Sequence, residues 1–224
     1  KLAEILNTRH PGKHFIPVYY MGGEDNDLAE LGTFHYGEQK FTWHADGQQG
    51  AVGRMSTKSL KPLLHDLFRL LGPPGSNTDA LIQLLTEAYL HHETIATATQ
   101  YLVHQLFGRY GLLVLDPDEP GFKKAMLPVL RDDLLHQNSF RLVQAQTERL
   151  SERYKTQAFP RPINLFYLHD QLRERIEKQG DKWTVVHTGR EWTEPELLEE
   201  LTAHPERFSP NVILRGILQE SILP

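Results

Sequence analysis

The chain predicts an α/β fold on three observations. An apolar, β-favouring run from Phe15 to Met21 ends in Gly22-Gly23. From Ser56 the apolar residues switch to three- and four-residue spacing, the period of helices. A second continuous apolar run, Gly111-Leu-Leu-Val-Leu-Asp116, then sits between Gly and Asp-Pro, as a buried parallel strand would.

A short amphipathic helix is expected over Lys1 to Arg9, with Leu2, Ile5 and Leu6 on one side. In the first strand Pro17 removes one ladder donor, so it belongs early in the strand or at an edge. A small exposed hairpin follows, Thr33 to Tyr36 and Lys40 to Trp43, around Gly37-Glu38. Leu60, Leu63, Leu64, Leu67, Phe68 and Leu71 mark the next helix, which Gly72-Pro73-Pro74-Gly75 ends. Ser76-Asn77-Thr78-Asp79 reads as the cap of a second helix, and a third runs from about Thr94 to Phe107. If the Gly111 run shares a sheet with the first strand, Asp116 ends beside the acidic string Glu24 to Asp27.

Past Pro120 the pattern is helical to about Leu150. Phe159-Pro-Arg-Pro162 is the best internal boundary, because two prolines in four residues stop helices. Ile163 to Leu168 and Trp183 to His187 read as strands. The charges of Leu172 to Lys178 suit a helix, but Gly180-Asp181 favours a hairpin there. Thr193 caps a further helix, with Pro195 in its first turn. Ser209-Pro210 is expected to start the last one.

The chain has 224 residues, 39% hydrophobic and 24% charged, enough for one large or two smaller cores. A net charge of −5 without basic clustering argues against nucleic acid as a partner. With no cysteine there are no disulfides, thiolate nucleophiles or Cys-ligated metals. No apolar stretch approaches the ~20 residues of a membrane span, and no signal peptide is seen, so a cytoplasmic location is expected. Both ends read as cut, Lys1 inside an amphipathic pattern and Ile222-Leu223-Pro224 after an apolar run, which suggests an excerpt of a longer protein.

Two strings carry candidate chemistry. Glu24-Asp25-Asn26-Asp27 follows the strand and the Gly22-Gly23 turn, where an open α/β sheet places its ligand and glycine permits close approach. These carboxylates could hold an ammonium, accept sugar hydroxyls, or share a magnesium ion with phosphates. The structural alternative is that Asp25 caps a short helix while Asp27 and Glu30 complement its dipole. Near the end, Asn211, Arg215 and Gln219 recur every four residues and would form one polar stripe, with Val212, Ile213, Leu214, Ile217 and Leu218 available for packing. Arg215 can grip a carboxylate or phosphate with two donors; the alternative is a solvent-facing stripe.

Other strings are less specific. Arg54-Met-Ser-Thr-Lys-Ser59 resembles the mobile Lys-Met-Ser-Lys-Ser loop of class I aminoacyl-tRNA synthetases with one residue inserted, but Ser56 or Thr57 as a helix cap explains the same letters. Lys58 is the candidate it offers for a nucleotide phosphate, and Asp116 is a second cofactor-binding candidate. The neighbours His91-His92-Glu93 point about 100° apart on a helix and do not converge on a metal. Neither a P-loop nor a Gly-x-Gly-x-x-Gly fingerprint occurs.

Four strings in order, Phe15-Ile-Pro-Val-Tyr-Tyr-Met-Gly-Gly-Glu-Asp-Asn-Asp-Leu-Ala-Glu30, Phe107-Gly-Arg-Tyr-Gly-Leu-Leu-Val-Leu-Asp116, Ile163-Asn-Leu-Phe-Tyr167 and Phe208-Ser-Pro-Asn-Val-Ile-Leu-Arg-Gly-Ile-Leu-Gln219, resemble the bacillithiol biosynthesis cysteine-adding enzymes, the BshC family. The resemblance implies a ligase joining L-cysteine to glucosaminyl malate through an amide. It also implies a Rossmann-like, mostly parallel core akin to class I synthetases, with a helical insertion and a small α+β connecting segment. The expected division is a core portion over 1–158 containing the helical segment 56–108, a connecting segment over 159–208, and a return to the core over 209–224. A Gly-His-Gln motif is implied before Lys1. A Gly-rich segment and a dimerising coiled coil are implied after Pro224, so the chain alone is expected to be inactive. Many relatives carry histidine at the position of Asn26, which argues against proton transfer there.

Joined to the residue reading, this gives an expected mechanism in which ATP activates the cysteine carboxyl and the amine of glucosaminyl malate attacks it. Asp25, Asp27 and Arg215 are the catalytic candidates; Glu24, Asn26, Asn211 and Gln219 are the substrate-binding ones, with magnesium possible at Asp25 and Asp27. Two rival readings are a magnesium-dependent phosphotransferase using Asp25, Asp27 and Asp116, and a non-catalytic docking module using the helices between Ser56 and Phe107.

Overall fold

The computed structural model describes residues Lys1–Ile222; the Leu223-Pro224 end of the last expected segment lies outside the described residues. The chain divides into two compact units at Pro117/Asp118. The expected boundary at Phe159–Pro162 falls inside the second.

The first unit opens with α1 (Leu2–Arg9) and β1 (Val18–Tyr20), then α2 (Leu28–Leu31) and the hairpin β2 (Thr33–Tyr36) and β3 (Gln39–Thr42). Gly37 turns the hairpin at φ +59°, a conformation that favours glycine. After three short 3-10 turns come α3 (Lys61–Phe68), α4 (Ser76–Leu90), α5 (Ile95–Phe107) and β4 (Leu113–Leu115). The apolar spacing works as read: Leu60, Leu64 and Leu67 are buried against Phe41, Trp43, Val52 and Met55. Thr94 caps α5 through a reciprocal bond pattern with Thr97. At α4, by contrast, the expected Ser-Asn-Thr-Asp cap is itself the first turn, and Gly75 precedes it without a side-chain bond.

β1 and β4 pair in parallel, Val18 with Leu113 and Tyr20 with Leu115. The ladder extends past both named strands, with Leu113 N–H donating to the Pro17 carbonyl and Met21 N–H to that of Leu115, each at 3.0 Å. Pro17, an acceptor only, sits at the mouth of the strand as its chemistry demands. The expected full burial of the Gly111–Asp116 run does not hold, since Leu113 is 54% exposed.

The second unit begins with α6 (Pro120–Ala125), α7 (Leu127–Leu135) and α8 (Asn138–Ser151). Then come β5 (Leu165–His169), β6 (Leu172–Gln179), β7 (Lys182–Val185), β8 (Glu191–Trp192), α9 (Glu194–Ala203), β9 (Phe208–Pro210) and α10 (Val212–Ile222). Its five strands run β8-β7-β6-β5-β9 and every neighbouring pair is antiparallel. The mostly parallel sheet is therefore corrected: among the described residues, parallel pairing is confined to β1 and β4. Turns as short as Gly180-Asp181 can join only antiparallel strands, so the hairpin reading of Leu172 to Lys178 stands. Thr193 and Glu196 form the capping box of α9. Trp183, Tyr167, Leu134, Leu197 and Phe208 are fully buried in this unit, and the Trp183 indole N–H donates to the Leu134 carbonyl at 3.0 Å.

Ser209-Pro210 does not start the last helix. Both residues pair with β5, at Phe166 and Leu165, and helical geometry begins at Val212.

Candidate functional site

Because β1 and β4 are parallel, their carboxyl ends open on the same side, and the Gly22-Gly23 turn stands beside Asp116. A Cβ built on Gly23 would lie 4.0 Å from Asp116 Oδ1. The Asp25 N–H donates to the Gly22 carbonyl at 3.1 Å, and the Val52 and Gly53 N–H groups donate to the carbonyls of Asp25 (2.8 Å) and Gly23 (2.7 Å). The 3-10 turn Val52–Arg54 is thus stitched onto the strand end. Gly53 is the tightest point: its Cβ would meet the Gly23 carbonyl oxygen at 2.7 Å and Cα at 2.8 Å. Nothing in the sequence ties Gly53 to a glycine thirty residues earlier, so pattern reading misses it.

The acidic string divides by burial. Glu24 is 2% exposed and Asp25 half-buried, whereas Asn26 and Asp27 are exposed. Asp27, not Asp25, is the cap of α2, its Oδ1 accepting from Glu30 N–H at 3.1 Å. The structural alternative was therefore right in kind and displaced by two residues.

Next to the two glycines lies a cavity of about 430 Å³, lined by Tyr19, Met21, Gly22, Gly23, Trp43, Gly53, Tyr89, Thr99 and several leucines of α3 and α4. Its wall is mostly apolar, as ligand cavities are, with few polar groups. Burial raises the Tyr89 hydroxyl above its ordinary pKa, against the pull of a hydrogen bond with Thr99. It therefore stays a neutral phenol, able to donate at physiological pH.

The Arg54–Ser59 string is held, as the cap reading expected. Ser56 caps the turn Thr57–Leu60 by accepting from Lys58 N–H at 3.4 Å. Thr57 donates its hydroxyl to the His92 carbonyl at 2.5 Å and its N–H to that of Glu93 at 3.2 Å. Lys58 itself is exposed. Among the described residues no three His, Cys, Asp or Glu side chains converge as a metal site. His91 and His92 are occupied locally, by the Glu87 carboxylate and the Glu87 carbonyl, each at 2.9 Å.

The second string belongs to the other unit. Asn211 is the cap of α10: its Oδ1 accepts from Ile213 and Leu214 N–H at 2.8 and 3.4 Å, and its amide donates to Asn164 Oδ1 at 3.0 Å. Asn164 in turn donates its N–H and amide to the buried Asp133 carboxylate at 2.6 and 3.2 Å. Burial pushes the Asp133 carboxyl up, while these bonds and one from Ser139 hold it down in part. Asn211, expected as a substrate-binding group of the stripe, thus also serves the frame as the cap of α10. Arg215 and Gln219 are both half-buried, one turn apart, beside the fully buried Leu214 and Leu218. Of the apolar set, Val212 is 63% and Ile217 40% exposed.

No helix among the described residues is long and apolar enough to cross a membrane. The model of the bacillithiol biosynthesis BshC N-terminal Rossmann-like domain matches residues 1–224. The chain is 41% identical to a Flavobacterium johnsoniae protein named "Putative cysteine ligase BshC", over 100% of this chain and 42% of that one. A protein of the same name from Cytophaga hutchinsonii is also 41% identical, over 100% and 41%. One from Shouchella clausii is 31% identical, over 93% and 40%. The chain therefore spans about 42% of the length of such relatives. A strand-end turn cradled by glycine, a parallel β1–β4 pair and a match along the whole chain lead to one assignment: this chain belongs to the BshC family, as its N-terminal Rossmann-like domain.

Proposed function

We propose that the parent protein joins L-cysteine to glucosaminyl malate, and that the end of β1 is where the reacting groups are held. The observation that carries this is the glycine cradle of Gly22, Gly23 and Gly53, which borders a large apolar cavity and brings the Asp25 and Asp116 carboxylates within 3.5 and 4.0 Å of where Cβ atoms on Gly22 and Gly23 would stand. An amide needs an activated carboxyl. In this proposal the cysteine carboxylate attacks the α-phosphorus of ATP and pyrophosphate leaves. The amine then attacks the acyl carbon, AMP departs, and the amine loses a proton. The chain contributes position and charge. Asp25 holds the cysteine ammonium or takes the amine proton, with Glu24 and Asp116 setting the local charge, and the cavity excludes water from the activated acyl group. A magnesium ion, if used, would take one or two of these carboxylates and complete its shell with phosphate oxygens and water.

Arg215, carried by α10 beside its capping Asn211, is proposed to bind the malate carboxylate or a phosphate, with Gln219 orienting it. A fork of donors suits either oxyanion. The test uses the full-length parent with cysteine, ATP and glucosaminyl malate, the product being read by mass. Asp25→Ala and Arg215→Ala should each lower kcat/KM by roughly a hundredfold. Absence of product from the parent, or undiminished product from both variants, would sink the assignment.

A further inference from the structure

We infer that the second unit carries a separate oxyanion site, taking a phosphate group, between the Pro160–Pro162 turn and the edge of β6. A cavity of about 210 Å³ is lined there by Gln137, Arg161, Ile163, Arg175, Glu177 and Lys178. It exists because β5 leaves β6 at the pair Phe166–Arg175, while β6 continues to Gln179 against β7. The strand edge past Arg175 therefore faces the 161–163 segment across open space.

Three cations against one carboxylate line this space, an excess of two positive charges. The single acid compensates weakly: Arg175 Nη1 stands 3.6 Å from Glu177 Oε1, beyond hydrogen-bond reach. Lys178 places its ammonium 4.2 Å from the centroid of the Trp183 ring, a contact that leaves its charge uncancelled. No carboxylate among the described residues pairs with Arg161 or Lys178. Arg161 and Lys178 are exposed, so water screens their charges, but the local excess still favours an anion, and guanidinium forks match tetrahedral oxyanions.

The wall is also held in place. Arg161 is pinned on both sides of its main chain by one side chain, its N–H donating to Asn164 Oδ1 at 3.0 Å and its carbonyl accepting from Asn164 Nδ2 at 2.8 Å. Asn164 is 1% exposed and is locked onto Asp133. The buried network thus presents Arg161 from a fixed turn, which lowers the ordering cost of binding. This site does not rest on the proposed ligase reaction.

The primary probe is inorganic phosphate, titrated calorimetrically into the full-length parent at constant ionic strength set with chloride. Saturable binding that weakens about tenfold or more in Arg161→Gln, and further in Arg161→Gln/Arg175→Gln, is expected for two forked contacts. The exposed Arg161 should leave the unfolding midpoint unchanged, so the single variant decides even if the double one loosens the sheet. An ADP arm separates sources: ADP tighter than phosphate, with the same loss in the variants, assigns the site to a nucleotide's phosphates, and equal affinity assigns it to free phosphate. Binding that is unaltered in both variants, or that chloride abolishes stoichiometrically, overturns the site. Neither outcome touches the ligase assignment, which is read by product formation.

Discussion

At the end of β1, a glycine cradle borders a cavity of about 430 Å³, and two carboxylates stand close to it: a Cβ on Gly22 would lie 3.5 Å from Asp25 Oδ2 and one on Gly23 4.0 Å from Asp116 Oδ1. In the second unit Asp133, Asn164 and Asn211 stand among bonded partners. Asn164 alone makes contacts with Asp133, Arg161 and Asn211, all at 2.6–3.2 Å. Both groups are built on aspartates. What differs is what lies alongside. The buried network of the second unit specifies and rigidifies the fold, whereas the glycine cradle borders a cavity with room for a ligand.

The largest effect that would sharpen the contrast is at the cradle. Gly53→Ala forces a Cβ onto Gly23 backbone, which cannot yield as a side-chain tip could, so a loss of about 3 kcal/mol or more of stability is expected, read by thermal unfolding. An unaltered midpoint would show that the cradle is loose.

Next in size is Asn164→Ala, expected to cost about 2–4 kcal/mol by leaving the Asp133 carboxylate buried without two of its donors. Asp25→Ala should cost less than about 1 kcal/mol while lowering kcat/KM roughly a hundredfold, since its side chain is half-buried. If the two variants exchanged behaviours, the division between frame and site would fail.

The same network predicts a pH dependence. The Asp133 carboxyl is raised above 3.8 in the folded chain, chiefly by burial. A raised folded pKa favours folding when the group is protonated. Its contribution is therefore full below the unfolded pKa and is lost as pH rises through the raised value. Asp133→Asn should flatten the urea-midpoint profile on the acid side, measured from about pH 3 upward. Tyr167 gives the alkaline counterpart: burial first, then the bond to Glu200 at 2.5 Å, lifts its hydroxyl to about 12. Stability should fall as pH climbs from 10 towards that value, and Tyr167→Phe should abolish this limb of the profile.

The smallest effect separates the two neighbours in the acidic string. Asp27→Ala should cost about 1 kcal/mol through loss of the α2 cap, and Asp27→Ser should restore most of it. Equal losses in both variants would mean that charge, not capping, holds α2.

Local periodicity made much of this legible in the letters. The heptad-like leucines of α3, the Thr94 and Thr193 caps, the Gly37 and Gly180 turns and the parallel fit of β1 with β4 all follow from rules spanning a few residues, or from two strands that each announce themselves. The errors came where a residue's partner lies far along the chain. Ser209-Pro210 reads as a helix start until β5 claims its backbone, and that Asn211 caps α10 and bonds Asn164, 47 residues earlier, is visible only in the fold. Gly53 carries no local mark at all.

The sequence alone therefore determined a mixed helix-and-sheet fold with a parallel strand pair, nearly all element types, the strand-end position of the acidic string and the family. Tertiary structure alone decided that the larger sheet is antiparallel, that Asp27 caps while Glu24 is buried, and that Asp133 and Asn164 are frame. The reason is one of range: helix periods and turn preferences are set by neighbours within a few residues, but burial and hydrogen-bond saturation depend on which distant segments fold against a side chain.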